Sequence, residues 1–239
     1  MKLLNILLDL FFPPSCVSCG ELVDPKESFC HECKSKWSMW TSYRCPKCGH
    51  PAPFCFCPPR NRKSIKDDRI FYAFFYDPKN RDCVANRLIY SLKQENEHRV
   101  VAFLAACLAQ SIQSSAYAYG LRLSEYAITY PPRSRRAIRI NGFDHTALLA
   151  RFLGKELGLP VLKTLERRGS RVQKNLSAKE RRLNAAHSYR FRRGTDLTGK
   201  KLILVDDVIT TGATLTVCEA LLYTAGAEDV LLCALAKDI

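Results

Sequence analysis

Long apolar runs are missing from this chain of 239 residues. Nothing approaches the roughly 20 consecutive apolar residues that a membrane-spanning helix needs, so no transmembrane segment is expected. The one apolar stretch near the start, Leu3 to Phe12, is preceded by Lys2 and interrupted by Asn5 and Asp9. Pro13-Pro14 follows it where a secretory leader would carry a small-residue cleavage site, so a docking helix is expected there. Acidic residues are also few, 23 against 37 Lys and Arg, and the formal charge is +14. Half of an ATP-binding loop is present in Gly194-x4-Gly199-Lys200, but Lys201 stands where Ser or Thr is needed, and a strand follows in place of a helix. ATP hydrolysis therefore has no support.

Cysteine, by contrast, is abundant: twelve in all, eight of them between Cys16 and Cys57. They read Cys16-x2-Cys19-Gly20, Cys30-x2-Cys33, Cys45-x2-Cys48-Gly49 and Cys55-x-Cys57, so the Cys-x2-Cys-Gly element recurs after 29 residues. Close pairs of this kind belong to metal sites in a reducing compartment, which makes a cytoplasmic location the expectation. The Gly behind the second Cys allows the tight turn that aims two sulfurs at one point, and two such elements complete a tetrahedral thiolate site for zinc. The simplest assignment is two consecutive ribbons, Cys16/Cys19/Cys30/Cys33 and Cys45/Cys48/Cys55/Cys57. A cross-braced pairing, first element with third and second with fourth, fits the same spacing. His31 and His50 lie near enough to compete as ligands but read better as flanking polar residues. Neither set leaves a position open for water, so both metals are read as structural, and as thiolate sites they lower the formal charge to about +10. Trp37 and Trp40 are expected to pack this core-poor module. Cys83, Cys107, Cys218 and Cys233 stand isolated among apolar residues, where a buried inert thiol is the default.

The most informative stretch runs from Leu202 to Thr214. Leu202-Ile203-Leu204-Val205 suits a fully buried strand, and it stops at two adjacent carboxylates, Asp206 and Asp207. Thr210-Thr211-Gly212-Ala213-Thr214 follows, and then a helical pattern from Leu215 to Ala225 that Gly226 stops. A helix entered through small residues presents free N–H groups and its positive dipole end, which suits a phosphate. Two neighbouring carboxylates at a strand end repel each other unless something polar or cationic intervenes, and the vicinal hydroxyls of a ribose would serve. The run resembles the phosphoribosyl pyrophosphate signature of the type I phosphoribosyltransferases. That resemblance implies that Asp206 and Asp207 bind the ribose hydroxyls and that Thr210, Thr211, Gly212, Ala213 and Thr214 cradle the 5-phosphate.

Elsewhere the chain alternates strands and helices. Pro58 to Asp68 reads as a charged linker between a small module, residues 1–60, and a larger domain, residues 61–239. Strands are expected at Arg69 to Tyr76, Tyr126 to Tyr130, Val161 to Leu165, Tyr189 to Arg192 and Val230 to Leu235. Helices are expected at Pro78 to Lys93, Arg99 to Ile112, Asp144 to Leu157 and Ser177 to Ala186. The order implies an α/β fold with a doubly wound, mostly parallel sheet whose ligands sit beyond the strand C-termini. Basic residues cluster at Arg133, Arg135, Arg136 and Arg139, and again at Arg167, Arg168, Arg171, Lys174, Lys179, Arg181 and Arg182. The first cluster, with Ser134, follows a strand and is placed to meet a pyrophosphate; the second would suit that ligand or a nucleic-acid backbone.

Taken in order, the double four-cysteine ribbon, Leu92-Lys93, Gly142-Phe143, Gln173-x2-Leu176-x4-Arg181-x2-Asn184 and Val205 to Thr214 resemble the ComF family over nearly the whole chain. The family is associated with DNA uptake in natural competence and is described as predicted amidophosphoribosyltransferases. The resemblance implies binding of phosphoribosyl pyrophosphate with magnesium, and phosphoribosyl transfer to an acceptor that no motif identifies. Its alternative implication is a non-catalytic sensor or single-stranded-DNA-binding protein that engages competence or helicase proteins, with Trp37, Trp40, Tyr43 and Arg44 as a stacking platform. Two stretches depart from the family pattern. Thr129-Tyr130-Pro131-Pro132 replaces Val-Pro-Val-Pro, and Asn141-Gly142-Phe143-Asp144-His145 replaces Arg-Gly-Phe-Asn-Gln, which removes a cation. His145 reads as a polar residue opening a helix; its other reading is a general base.

Overall fold

The computed structural model describes residues 13–55, 57, 70–80, 83–94, 97–167 and 188–238. The docking helix expected at Leu3 to Phe12, the linker Pro58 to Asp68, the helix Ser177 to Ala186 and the Gln173 to Asn184 motif lie outside these residues. In chain order the elements are α1 (His31–Thr41), β1 (Ile70–Tyr76), α2 (Val84–Gln94), α3 (His98–Ala118), β2 (Tyr126–Thr129), α4 (Arg135–Asn141) and α5 (His145–Leu157). They continue with β3 (Leu165–Arg167), β4 (Tyr189–Phe191), β5 (Lys201–Ile209), α6 (Ala213–Thr224) and β6 (Asp229–Asp238).

Strands β1-β6-β5-β2 pair in that order, and every pair is parallel. The central position of β5 explains its apolar run: successive side chains point to opposite faces, and both faces are covered. Ile203 and Val205 pack with Leu88, Leu92, Leu104, Leu108, Leu149 and Leu153 of α2, α3 and α5. Leu202 and Leu204 pack on the other face with Leu215, Cys218 and Leu222 of α6 and with Leu165 and Tyr189 of an antiparallel pair, β3 and β4. The doubly wound, mostly parallel α/β architecture is thus built as the alternation of elements implied.

Several elements differ from expectation. The helix expected from Pro78 starts at Val84, because Asp77-Pro78-Lys79-Asn80 forms a turn. The Asp77 carboxylate accepts from the Lys79 N–H at 2.9 Å, and the Asp77 carbonyl from the Asn80 N–H at 3.1 Å. Arg135 to Asn141, read only as a basic stretch, is a short helix with Ser134 as its N-cap and Gly142 in the left-handed region (φ 79°) at its end. The expected strand at Val161 to Leu165 shrinks to a single parallel bridge between Val161 and Ile128, and residues 165–167 turn away to pair with β4.

Helix α3 is longer than the expected Arg99 to Ile112. Its length and apolar composition would also suit a membrane span, but over half of that stretch (56%) is buried in the fold, against β1, β6 and α5. Its Ser111 hydroxyl donates to the Tyr72 carbonyl at 2.7 Å, which ties the helix to the sheet.

The cysteine-rich segment is seated on the edge strand β1. Trp37 of α1 lies edge-on to Phe74 (centroids 5.1 Å apart) and near Phe103, and the Trp40 indole N–H donates to the Phe75 carbonyl at 2.7 Å. Arg99 donates to the Ser15 carbonyl at 2.9 Å, and the Ser115 hydroxyl to the Pro53 carbonyl at 3.2 Å. The tryptophans therefore join the ribbons to the sheet rather than forming a core for the ribbons alone. The tryptophans pack the module as expected, Trp37 against Phe29 (centroids 5.8 Å apart) and Trp40 stacked with Tyr43 (6.2 Å), and their docking on β1 adds to that reading. A sequence window cannot show that docking, because the partners are more than 30 residues away.

Candidate ligand site and metal centres

The two metal sets are resolved by geometry. Within Cys16/Cys19/Cys30/Cys33, and within Cys45/Cys48/Cys55/Cys57, the four sulfurs all lie within 4.8 Å of one another. The Cys19–Cys30, Cys48–Cys55 and Cys45–Cys57 separations are 3.7, 3.8 and 3.9 Å. Zinc–sulfur bonds of about 2.3 Å in a tetrahedron place sulfurs about 3.8 Å apart, so both sets fit zinc. The arrangement is the consecutive one, not the cross-brace, and each knuckle ends in a glycine with φ of 79° (Gly20) or 72° (Gly49). Outside the ribbons, Cys218 and Cys233 are fully buried, while Cys83 and Cys107 are partly buried. Burial pushes the Cys107 thiol up to about 12, which leaves it un-ionised and unreactive.

The second site lies at the C-terminal end of β5. Parallel strands β2 and β5 end on the same side of the sheet, where open α/β sheets bind ligands. Asp206 and residues Val208 to Leu215 line a shallow, solvent-open hollow. Gly212, with φ 72°, turns the chain into α6 and offers no capping side chain of its own. The Thr211 hydroxyl stands 3.4 Å from the Ala213 N–H, and Thr210 is exposed. The first turn of α6 and its positive dipole end therefore face the hollow that Asp206 lines.

The paired acids are not equivalent. Being consecutive on a strand, they project to opposite faces. Asp206 follows Leu202 and Leu204 toward α6. Asp207 follows Ile203 and Val205 toward α2 and α5, where its Oδ2 meets His145 Nε2 at 2.9 Å and Lys93 Nζ at 3.1 Å. Its Oδ1 accepts from the Val208 N–H at 2.6 Å. Burial pushes the Asp207 carboxyl up, but the hydrogen bond from His145 and the charge of Lys93 overcome this and hold it well below the usual carboxylate range. Among the described residues Asp206 has no such side-chain partner; its Oδ1 accepts only the Asp207 N–H, at 2.9 Å. Burial, and then the neighbouring Asp207 charge, push it up to about 8, although Lys93 and Arg133 oppose the rise.

The second departure from the family pattern, Asn141 to His145, has a place in this arrangement. Asn141 donates through Nδ2 to the Lys93 carbonyl at 3.0 Å, at the end of α2 that presents Lys93. Asp144 caps α5 by accepting from the Ala147 N–H at 3.1 Å, and its other oxygen accepts from the Arg133 N–H at 3.0 Å. His145 indeed opens α5, but it is 1% exposed and is spent on Asp207. A glutamine at this position would also carry an N–H donor. The clamp of Lys93 and His145 on Asp207 had no signal in the spacing, because the partners lie 114 and 62 residues away; only the Leu92-Lys93 motif hinted at it.

Of the basic residues after β2, Arg133 is half-buried near Asp206, Ser134 spends its hydroxyl capping α4 (3.1 Å from the Ala137 N–H), and Arg135 is exposed. Within the second basic cluster only Arg167 is described. It donates to the Tyr189 hydroxyl at 3.2 Å and lies 5.2 Å from that ring's centroid.

An α/β domain with this sheet, strand-end acids and small-residue loop, joined to paired four-cysteine ribbons, is a double zinc ribbon followed by a phosphoribosyltransferase-type domain. The double zinc ribbon domain family matches residues 7–63, and the phosphoribosyl transferase domain family matches residues 146–239. The DNA utilization protein YhgH of Salmonella typhimurium is 30% identical over 199 residues, covering 82% of this chain and 84% of that one. Competence protein F of Haemophilus influenzae is 27% identical over 238 residues, covering 95% and 98%. The chain belongs to the family of these proteins, the ComF family. Among solved structures, an allosteric regulatory enzyme of purine biosynthesis aligns with a TM-score of 0.41 at 19% identity, covering 61% of this chain and 30% of that one, so this chain spans less than a third of that enzyme's length.

Proposed function

We propose that this chain binds phosphoribosyl pyrophosphate with Mg²⁺ at the C-terminal end of β5 and transfers its phosphoribosyl group to an acceptor, in the context of DNA uptake. The observation that carries the reading is one hollow in which Asp206 faces the first turn of α6, whose N-cap, Gly212, has no side chain to fill it. A 5-phosphate would take the N–H groups and hydroxyls of Thr210 to Thr214, and the ribose hydroxyls would take Asp206 and Asp207. Mg²⁺ would arrive with the pyrophosphate. Arg133 and Arg135 would meet that leaving group, while Ser134 would contribute through its backbone, its hydroxyl being already used.

In the reaction a nucleophile bonds to C1 of the ribose as the bond from C1 to the pyrophosphate oxygen breaks, and the electron pair leaves with pyrophosphate. The transition state resembles an oxocarbenium ion, so the protein's work is positioning and electrostatic stabilisation. Neither Asp is assigned a proton-transfer role.

A second reading, favoured by the names of the relatives, is a non-catalytic protein that senses phosphoribosyl pyrophosphate or binds single-stranded DNA beside competence or helicase proteins. Pyrophosphate release by the zinc-loaded protein, offered ammonia and simple amines as nucleophiles, separates the two. Turnover that Asp206→Asn abolishes supports transfer. Saturable ligand binding without turnover supports the sensor. Salt-sensitive DNA binding that Asp206→Asn leaves unchanged supports the DNA-binding reading.

A further inference from the structure

Lys237 is a buried lysine (5% exposed) on β6, the strand next to β5. Lysine is rarely buried without a group of opposite charge. Among the described residues, its polar partners belong to the second ribbon: its ammonium donates to Cys55 Sγ at 3.2 Å and to the Cys57 carbonyl. The ring of Tyr72, from β1, lies 5.2 Å from Nζ and completes the enclosure. The nearest ribbon atoms are thus a sulfur of the four-cysteine set and the backbone of another member of it.

Four thiolates around Zn²⁺ carry a net charge of about −2, held here in a half-buried setting. A cation that donates to one of the sulfurs relieves that charge and fixes the orientation of the ligand, as groups behind metal ligands do. We propose that Lys237 is the built-in counter-cation of the second zinc site, so that metal retention by Cys45/Cys48/Cys55/Cys57 depends on docking of the ribbon against β6. Lys237 is a positioning residue: it binds no metal and acts through Cys55 and Cys57. Its place also matters for the ligand site, because Lys237 is the direct register partner of Ile209, the residue before Thr210. The first set has no such residue among its described contacts; Arg99 reaches only the Ser15 and Glu27 carbonyls there.

The test is chelator-driven zinc release from the full-length, zinc-loaded protein, with cysteine alkylation read by mass spectrometry to tell the two sites apart. In Lys237→Met, which keeps the stem against Tyr72 but removes the charge, Cys45, Cys48, Cys55 and Cys57 should alkylate about 10- to 100-fold faster. Cys16, Cys19, Cys30 and Cys33 should keep the wild-type rate, and Lys237→Arg should recover part of the loss. Equal acceleration at both sites, or no acceleration at either, overturns the proposal. Should Lys237→Met not fold, amine labelling of the wild type decides: Lys237 is expected to be protected while zinc is bound and reactive once it is removed. Labelling that is the same in both states overturns the proposal.

Discussion

His145 Nε2 lies 2.9 Å from Asp207 Oδ2, and this buried contact sets the two neighbouring acids apart. With Lys93 on the same oxygen, Asp207 has its charge met from within the protein, while Asp206 is left to face the hollow. A strand-end Asp pair is thereby divided into one carboxyl whose charge is met within the protein and one that lines the hollow.

His145→Gln should preserve this division, since an amide also offers an N–H. His145→Leu removes the hydrogen bond from a buried charge and should cost about 1–3 kcal/mol. Urea unfolding of both variants checks the contrast. Equal stability of the two would show that the contact contributes nothing.

Asp206 should make the ligand-free protein less stable as pH rises. Burial and the Asp207 charge raise its folded pKa to about 8, above the unfolded carboxylate range, so the folded state holds the extra proton between about pH 4 and 8. Stability from this group is full below that window and is lost through it. Asp206→Asn, which imitates the protonated form, should match wild type near pH 4, at the lower edge of that window, and exceed it by about 1 kcal/mol near pH 9, a figure kept small because solvent reaches the carboxyl. Unfolding at the two pH values provides the check.

Much of this site was legible from residues alone: the buried strand, the acids at its end and the loop entering a helix all follow from Leu202 to Thr214. So was the metal chemistry, because cysteine spacing of two residues aims sulfurs at a point. Which acid faces the loop follows from strand alternation, but which is neutralised depends on Lys93 and His145, brought in by tertiary packing. The docking of Trp37 and Trp40 onto β1 was invisible for the same reason. The false helix start at Pro78 arose because Asp-Pro can open a turn as well as a helix, and Asn80 decided for the turn.

Trp37→Ala should destabilise the ribbon and the domain together. Its ring packs on Phe29 of the ribbon and on Phe74 and Phe103 of the domain, and losing this half-buried contact should cost about 2 kcal/mol. A single cooperative transition at lower temperature is the expected calorimetric result; an unchanged domain transition would contradict it.

Gly212→Ala places a side chain at φ 72°, a conformation that costs a non-glycine residue about 1–2 kcal/mol. It also puts a methyl group at the entrance to α6. Thermal unfolding should show the first effect, and weakened binding of ribose 5-phosphate the second.

The most direct test of the account is calorimetric titration of zinc-loaded protein with phosphoribosyl pyrophosphate and Mg²⁺, wild type beside Asp206→Asn/Asp207→Asn. Saturable binding by wild type, lost in the double variant while its fold is retained, is the expected result. Absence of binding by well-folded wild type, or equal binding by both proteins, would contradict the assignment of the β5 end and the Thr210 to Thr214 loop as the ligand site.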